Sequence, residues 1–346
     1  MKMKVKAHHP RPTLLLLANP RPQRLHRRDG EEHLASFGKA SRVSETAGCV
    51  EEHARQRRTA AIADAVLVRF HLDTSATAVE AWSEARLQFE PRGWQVEYRQ
   101  SLREAIADLD PRAAHGLLAE YLTPDDVFVD VENVLLYNVG TAVFAPVVAV
   151  GITCRQGRAP DDRHHVRYRV VESPLAPGGG ALIGQVAADL GTGVPKTAGR
   201  WWAALRESAV TPQPFRQSAG SDAAFTVDVV LTSPTPARVR LPGLLKPLLD
   251  GLISCFHAHD STNAALLPKR LAAHGLPEHA WDLLVDSATS GLGTRPLVRP
   301  YRDGIAWNPA DDRCDAFRVV LQAGSPWSIA AELREHVPEA AAPTPW

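Results

Sequence analysis

One stretch near the end of the chain constrains the fold more than any other. From Ala224 to Leu231, polar and apolar residues alternate as they do in a half-buried strand. After two prolines, Leu244–His257 places its large apolar side chains at i, i+3/i+4 and i+7, which predicts an amphipathic helix. Another strand is predicted over Ala316–Leu321. This succession of strand, helix and strand favours an α+β fold, with helices packed against a sheet.

The rest of the chain divides into regions of different character. Residues 1–48 form a basic arm interrupted by prolines, and residues 49–122 carry helical patterns. Residues 123–220 and 221–346 are each rich in predicted strands, with helices between them. The predicted architecture is therefore α+β, with a helical N-terminal region followed by two strand-rich halves.

Local patterns predict the individual elements. Strands are expected where β-branched or apolar residues alternate or run continuously, and helices where apolar residues recur every three or four positions. The strands expected in the first half are Val127–Val131, Ala142–Ile152 and His164–Val171, with none in the Gly- and Pro-rich residues 174–198. The other expected helices are Ala78–Leu87, Leu102–Leu122, Trp201–Glu207, Ala264–Ala273, His279–Asp286 and Ile329–His336.

The charge balance restricts how the protein can bind nucleic acid. Lysine plus arginine and aspartate plus glutamate both number 39, so the formal net charge is zero. A protein that grips nucleic acid over its whole surface is usually basic, so any such site here must be a local patch. One patch is the N-terminal arm, which is either a solvated tail or a phosphate-binding arm. Its clustered arginines are Arg21, Arg24, Arg27 and Arg28.

The cysteines and apolar runs bear on the cell compartment. The four cysteines are far apart and form no C-x-x-C pair, which favours reduced, buried thiols over a zinc or disulfide framework. The apolar run Leu14–Ala18 is too short for a signal peptide or a membrane span. The Ala-, Arg- and Pro-rich composition is typical of a bacterial genome of high GC content. These features predict a cytoplasmic protein with no membrane partner.

An acidic pair is the first candidate for chemistry. Asp311 and Asp312 come shortly before the strand predicted at Ala316–Leu321. Adjacent carboxylates repel each other, so solvent or a divalent cation must hold them together. The pair therefore indicates either a polar turn or part of a metal site.

The predicted helix upstream carries a second polar motif. Lys246 and Asp250 lie at i and i+4, flanked by Leu244 and Leu252. Together with the acidic pair, this segment resembles the RusA-type Holliday-junction resolvases. Their signature is a DxDNLxKxxxDxL segment that opens a helix, followed by an Asp-Asp pair that leads into a strand. The resemblance covers about residues 222–325, with an insertion between helix and pair. It implies Mg²⁺-dependent phosphodiester hydrolysis, and either a homodimer or a monomer whose two halves pair internally.

The signature is incomplete at its start. Where the family has two carboxylates and an Asn, this chain has Arg240, Pro242 and Gly243. Arginine does not bind a metal ion, but its fixed charge suits it to hold a phosphate. Without these two carboxylates, the domain suits nucleic-acid binding or a structural role better than cleavage.

A replacement for the missing acids occurs upstream, where Asp130-Val131-Glu132-Asn133 has the pattern D-x-E-N. If the two halves pair, Asp130 and Glu132 would face Asp311 and Asp312 across one cleft. The alternative is an edge strand whose acids face water and whose Asn133 and neighbouring Asn138 organise turns.

The sequence leads to one functional hypothesis and two alternatives. The hypothesis is a DNA-binding protein with a partly lost RusA-like nuclease domain, acting on DNA that includes branched forms. If it is active, the catalytic Mg²⁺ ligands are Asp130, Glu132, Asp311 and Asp312, and the phosphate is held by Lys246 and Arg240.

The first alternative is a non-enzymatic subunit that uses the same fold to bind a protein partner. The second is an enzyme acting on a small molecule, with a pocket lined by Tyr137, Asn138, Trp201 and Trp202. A short distance between the two pairs of acids would favour the nuclease.

Overall fold

The structure is a computed structural model that describes residues 68–110, 115–212 and 224–337. The basic arm and the start of the region predicted to be helical (residues 49–67) lie outside the described residues. All of the described residues belong to one compact unit. Within those ranges, no helix is both long enough and apolar enough to cross a bilayer.

The first part of the chain supplies five strands and one long helix. They are β1 (Phe70–Thr74), β2 (Ala78–Ser83), α1 (Trp94–Ala107), β3 (Gly116–Thr123), β4 (Gly151–Arg158) and β5 (His164–Val171). A π-helical segment, Asn133–Tyr137, and a 3-10 turn, Thr141–Phe144, lie between β3 and β4.

The second part of the chain has a similar order of strands and helices, with an inserted region and additional strands. It contains β6 (Leu182–Gly191), α2 (Ala198–Arg206), β7 (Ala209–Pro212), β8 (Phe225–Ser233) and α3 (Pro242–Cys255). An inserted region follows, with β9 (Ala258–His259), α4 (Leu267–Ala273), α5 (Ala280–Val285), β10 (Thr294–Arg295), β11 (Val298–Tyr301) and β12 (Gly304–Trp307). The chain returns to the sheet through a 3-10 turn, Asp311–Arg313, and ends with β13 (Cys314–Ala323) and β14 (Trp327–Glu335).

Ten strands form one mixed sheet in the order β1-β2-β5-β3-β4-β13-β8-β14-β6-β7. Along the chain, β2-α1-β3-β4-β5 is matched by β6-α2-β8-β13-β14. In both sets the last strand lies between the first and second and is antiparallel to each, and the second and third strands pair in parallel. The sheet is therefore an internal duplication. We call residues 78–171 the first half and residues 182–335 the second half; these bounds differ from those of the predicted halves, 123–220 and 221–346.

A pseudo-twofold axis runs through the seam where β4 pairs antiparallel with β13. In the first half Arg155 of β4 holds a carboxylate of β3, and in the second half Arg318 of β13 holds a carboxylate of β8. These two arginines lie one residue to either side of the Cys154–Phe317 pair across the seam. Exchange of the two halves therefore leaves that pair in place, and the axis passes through it.

The helices cover one face of the sheet. Strand residues alternate between the faces, and inward residues such as Ala119, Val229 and Val319 are fully buried in a single apolar core. Helices α2 and α3 pack so closely that a Cβ on Gly251 would lie 2.5 Å from the Cβ of Trp201. Each large apolar side chain buried in this layer contributes about 1.5–3 kcal/mol to the fold.

The prediction of an α+β fold is confirmed, as are α2, α3, α4, α5, β5, β8 and β13. Several strands were missed. β2 lies where a helix was expected over Ala78–Leu87, and β14 lies where one was expected over Ile329–His336. Both segments bury every second residue, but they are rich in alanine and charged residues that favour helices, and pairing within the sheet outweighs that preference.

Other boundaries also differ from the prediction. The helix expected over Leu102–Leu122 ends at Ala107, and β3 follows it. β6 crosses the Gly- and Pro-rich residues 174–198, where no strand was expected. β4 begins only at Gly151, because the apolar run before it forms a 3-10 turn and a loop.

Candidate functional site

Asp130 lies at the end of the loop that leaves β3. Its Oδ1 accepts a hydrogen bond from the backbone N–H of Asn133 at 3.0 Å, and its Oδ2 accepts one from the Asn133 side chain. Asp130 thereby caps the helical turn that begins at Val131, where the first N–H groups lack helical partners. The strand predicted over Val127–Val131 is absent from this loop, which is instead fixed by a capped turn.

The Lys246 ammonium, on α3, gathers acids from both halves. Its Nζ lies 3.2 Å from Oδ2 of Asp130, 3.1 Å from Oδ1 of Asp250 and 3.2 Å from Oδ2 of Asp311. These three carboxylate oxygens therefore lie close together, because each is within 3.2 Å of the same nitrogen atom. Asp311 is also near enough to Asp130 to raise its pKa.

Glu132 is the fourth acid of the site. Its side chain is buried (4% exposed), and its Oε1 has no hydrogen-bond partner among the described residues. Lys246, Asp130, Asp250 and Asp311 are all near enough to influence its ionisation. A buried carboxylate oxygen without a partner is costly. We call Asp130, Glu132, Asp250 and Asp311 the acidic cluster.

Burial dominates the ionisation of this cluster. It raises the pKa of Glu132 well above its usual value and raises the pKa of Asp130, in each case against the opposing charge of Lys246. Burial also raises the pKa of Asp250 to about 6, with Lys246 opposing and Asp311 adding to the rise. Burial lowers the pKa of Lys246, but the four carboxylates outweigh it and the net shift is upward. The lysine therefore stays charged, and the cluster favours cations.

Two predicted site residues lie outside the cluster. Asp312 shares the 3-10 turn with Asp311, but it is exposed and has no hydrogen bond or ion pair to the cluster in the described part of the chain. Arg240, immediately before the N-cap of α3, is also exposed and has no acidic partner among the described residues. The structure thus brings together Asp130, Glu132 and Asp311 but not Asp312, and it adds Asp250.

Three of the four residues proposed to line a small-molecule pocket are buried. Trp201 and Trp202 are fully buried in the core. Asn138 is also buried and donates a hydrogen bond from its side chain to the Leu87 carbonyl at 2.7 Å. Only Tyr137 belongs near the site: it is half-buried, and burial with nearby Glu132 raises its pKa to about 12.

Sequence reasoning missed two properties of the site. It assigned Lys246 to a phosphate, whereas in the structure Lys246 binds three carboxylates. It also gave Asp250 no role as a ligand, although the i, i+4 spacing from Lys246 was a signal that the two side chains meet.

Comparison with protein-family models, with curated proteins and with solved structures finds no significant match to this chain.

Proposed function

We propose that this protein is a divalent-metal-dependent nuclease whose catalytic site is completed across its two halves. The observation that supports the proposal is the meeting of Asp130 and Glu132 from the first half with Asp250 and Asp311 from the second, around Lys246. The resemblance of about residues 222–325 to the RusA-type resolvases favours DNA, including branched DNA, as the substrate. The widely spaced cysteines favour the cytoplasm as the place of action. Because the two halves already pair within one chain, the proposal does not need a homodimer.

The donor atoms of the cluster suit Mg²⁺, which prefers carboxylate oxygens. The unpaired Oε1 of Glu132 is a buried acceptor that a cation would satisfy. As the side chains stand, no three His, Cys, Asp or Glu residues within the described ranges are arranged to hold a metal. Lys246 lies between the carboxylates, so metal binding requires its side chain to move aside, which its flexible four-carbon stem permits.

The chain's own groups can serve phosphodiester hydrolysis. Bound Mg²⁺ would supply an activated water and neutralise charge on the phosphate. Lys246, released from Asp130 and Asp311, can donate hydrogen bonds to a phosphate oxygen. Asp250 lies one helical turn from Lys246 and places a carboxyl group beside the site, as a general acid or base requires.

Cleavage assays with two neighbouring variants test the proposal. The purified protein is incubated with labelled single-stranded, duplex and four-way-junction DNA, with Mg²⁺ or with a chelator. We expect Mg²⁺-dependent cleavage that Asp311→Asn reduces by about 100-fold or more, since catalytic groups contribute about that much. Asp312→Asn should retain most of the activity, because Asp312 is exposed in the same turn and does not contact the cluster.

The main alternative is a non-enzymatic subunit that binds DNA or another protein. It is favoured by Lys246, which already neutralises three carboxylates, and by the zero net charge. The alternative predicts no Mg²⁺-dependent cleavage of any of these substrates. DNA binding that weakens with salt would then leave a DNA-binding protein, because phosphate contacts release counterions. No binding at low salt would leave the protein-binding subunit.

A further inference from the structure

The duplication creates two related places in the fold, and only one of them is acidic. The acidic cluster draws on the segment after β3 and on the turn before β13. The pseudo-twofold axis relates these to the segment after β8 and to the residues directly before β4. When the D-x-E-N pattern at Asp130 is aligned with the start of α3, Arg240, Pro242 and Lys246 correspond to Asp130, Glu132 and Leu136. The register of the seam relates Val148 and Ala149 to Asp311 and Asp312. We call the side chains of Arg240, Pro242, Leu136, Val148 and Ala149 the related position.

The related position has lost every group that a metal would need. None of its five side chains is a carboxylate, and Leu136 is fully buried. Its one charged residue, Arg240, is exposed at the start of α3, with no acidic partner among the described residues. A guanidinium in this setting is suited to bind a phosphate oxygen.

We infer that the protein cuts one strand of a two-stranded nucleic acid, while Arg240 at the related position holds a phosphate of the uncut strand. This inference rests on the proposed nuclease function. Twofold symmetry in a DNA-binding protein mirrors the local twofold symmetry of the duplex, so related places on the protein meet opposite strands. Here one such place carries the acidic cluster and the other carries a cation.

The chemistry at the cut strand is hydrolysis and needs no further reactant. The oxygen of water forms a new bond to phosphorus, and one phosphorus–oxygen ester bond breaks. The leaving oxygen takes up a proton, and the products are a phosphate monoester and a hydroxyl group at a nick. The opposite strand stays intact, because the related position offers no carboxylate.

Cleavage of supercoiled plasmid by the wild-type protein with Mg²⁺ tests the strand count. With enzyme in excess and at early times, all of the product should be nicked circles, with linear DNA appearing only after a lag. Linear DNA that forms together with the nicked circles would overturn the inference while supporting the nuclease. No cleavage of any substrate would overturn the proposed function and the inference with it.

Binding assays test the role of Arg240. They use a short duplex and the Asp311→Asn background, so that the substrate is not consumed. Arg240→Gln should reduce the slope of log affinity against log salt by about 0.9, the value for one lost phosphate contact. Arg299→Gln is the matched control, because Arg299 is an exposed arginine on β11, outside both the segment after β8 and the residues before β4. Equal slopes for the Arg240 variant and its parent would overturn the inference.

Discussion

Among single residues, Lys246 determines the electrostatic state of the site. Its side chain is about one-quarter exposed (27%), yet it contacts three carboxylates at 3.1–3.2 Å. Four acids packed this closely cannot all ionise without a cation, because each charge raises the free energy of the others. Lys246 supplies that cation within the chain. A divalent ion and Lys246 therefore compete for the same oxygens, and the competition can be measured.

Lys246→Met should lower the free energy of unfolding by about 3 kcal/mol, because it leaves partly buried carboxylates without their partner. The same variant should respond more strongly to Mg²⁺ than the wild type, since the competing ammonium is gone. An ion at about 100 times its dissociation constant would restore about 2.7 kcal/mol. Thermal melting of both proteins with chelator and with millimolar Mg²⁺ measures the difference.

The control for this measurement is Lys269→Met, which removes an exposed lysine on α4. It should change neither the stability nor the response to Mg²⁺. An identical Mg²⁺ response in wild type and Lys246→Met would argue against a metal site in the acidic cluster.

Asp250 gives the site a characteristic pH dependence. Its pKa rises from 3.8 to about 6 on folding. The folded protein therefore keeps a proton on Asp250 between about pH 4 and pH 6, where the unfolded chain has lost it. Its contribution to stability is present below pH 4 and is lost as the pH rises through 6. The side chain is 18% exposed, so the loss can reach about 3 kcal/mol at roughly 1.4 kcal/mol per pKa unit.

Urea unfolding in the presence of a chelator, at several pH values between 4 and 7, measures this dependence. Asp250→Asn cannot titrate, so its stability should fall less steeply than that of the wild type over this window. The difference between the two proteins isolates Asp250 from the other acids. Parallel curves would show that Asp250 does not carry the predicted shift.

At the scale of secondary-structure elements, the contact of α2 with α3 fixes the position of Lys246. Gly251 lies one residue after Asp250, and a Cβ there would meet Trp201 Cβ at 2.5 Å and the Ala198 carbonyl at 2.7 Å. Gly251→Ala must push the helices apart, and we expect it to destabilise the protein by about 1–3 kcal/mol. Chemical denaturation measures the change.

Gly243 provides a matched control on the same helix. It is exposed, and a Cβ there would meet nothing within 4 Å. Gly243→Ala should therefore be neutral or stabilise by up to about 1 kcal/mol through helix propensity. Similar losses at both glycines would show that helix propensity, and not the α2–α3 contact, governs the effect.

The elements also show how far the sequence could predict the fold. Strand β8 was predicted because its period and propensity agree. Helix α3 was predicted from its apolar period, although Pro247 and Gly251 in its interior disfavour a helix. β14 was predicted as a helix, because its Ala, Glu, Leu and Arg residues favour helices while its period-two burial exists only within the sheet. Local preference is a weak guide where a strand is held between two neighbours, as β14 is between β8 and β6.

The site was predictable to a similar extent. Lys246 and Asp250 are one helical turn apart, so their pairing follows from the sequence. The contact of Asp130 with Asp311 depends on how the two halves pair, and the sequence offered that only as one alternative. The burial of Glu132 and the exposure of Asp312 had no local signal, because both depend on side-chain direction in short turns.

At the scale of the whole molecule, the seam between β4 and β13 joins the duplicated halves into one sheet. Backbone pairing runs unbroken from Gly151 to Arg155 against Val320 to Ala316. The acidic cluster draws residues from both sides of this seam, so the site exists only while the halves stay together. A shared core and a shared sheet predict that the halves unfold as one unit rather than separately.

Gly151 is the place to test this coupling. Its φ is +141°, and a Cβ there would lie 2.3 Å from the Val319 carbonyl oxygen across the seam. Gly151→Ala should therefore loosen the seam without touching the helices. If the halves are one cooperative unit, native-state hydrogen exchange should show the same loss of protection in β3 peptides as in β8 peptides.

Gly193→Ala is the control, because Gly193 is exposed and a Cβ there would meet no atom within 4 Å. It should leave the protection of both sets of peptides unchanged. Loss of protection confined to β3 and its neighbours would mean that the halves are separate folding units, and that the composite site can open without unfolding the second half.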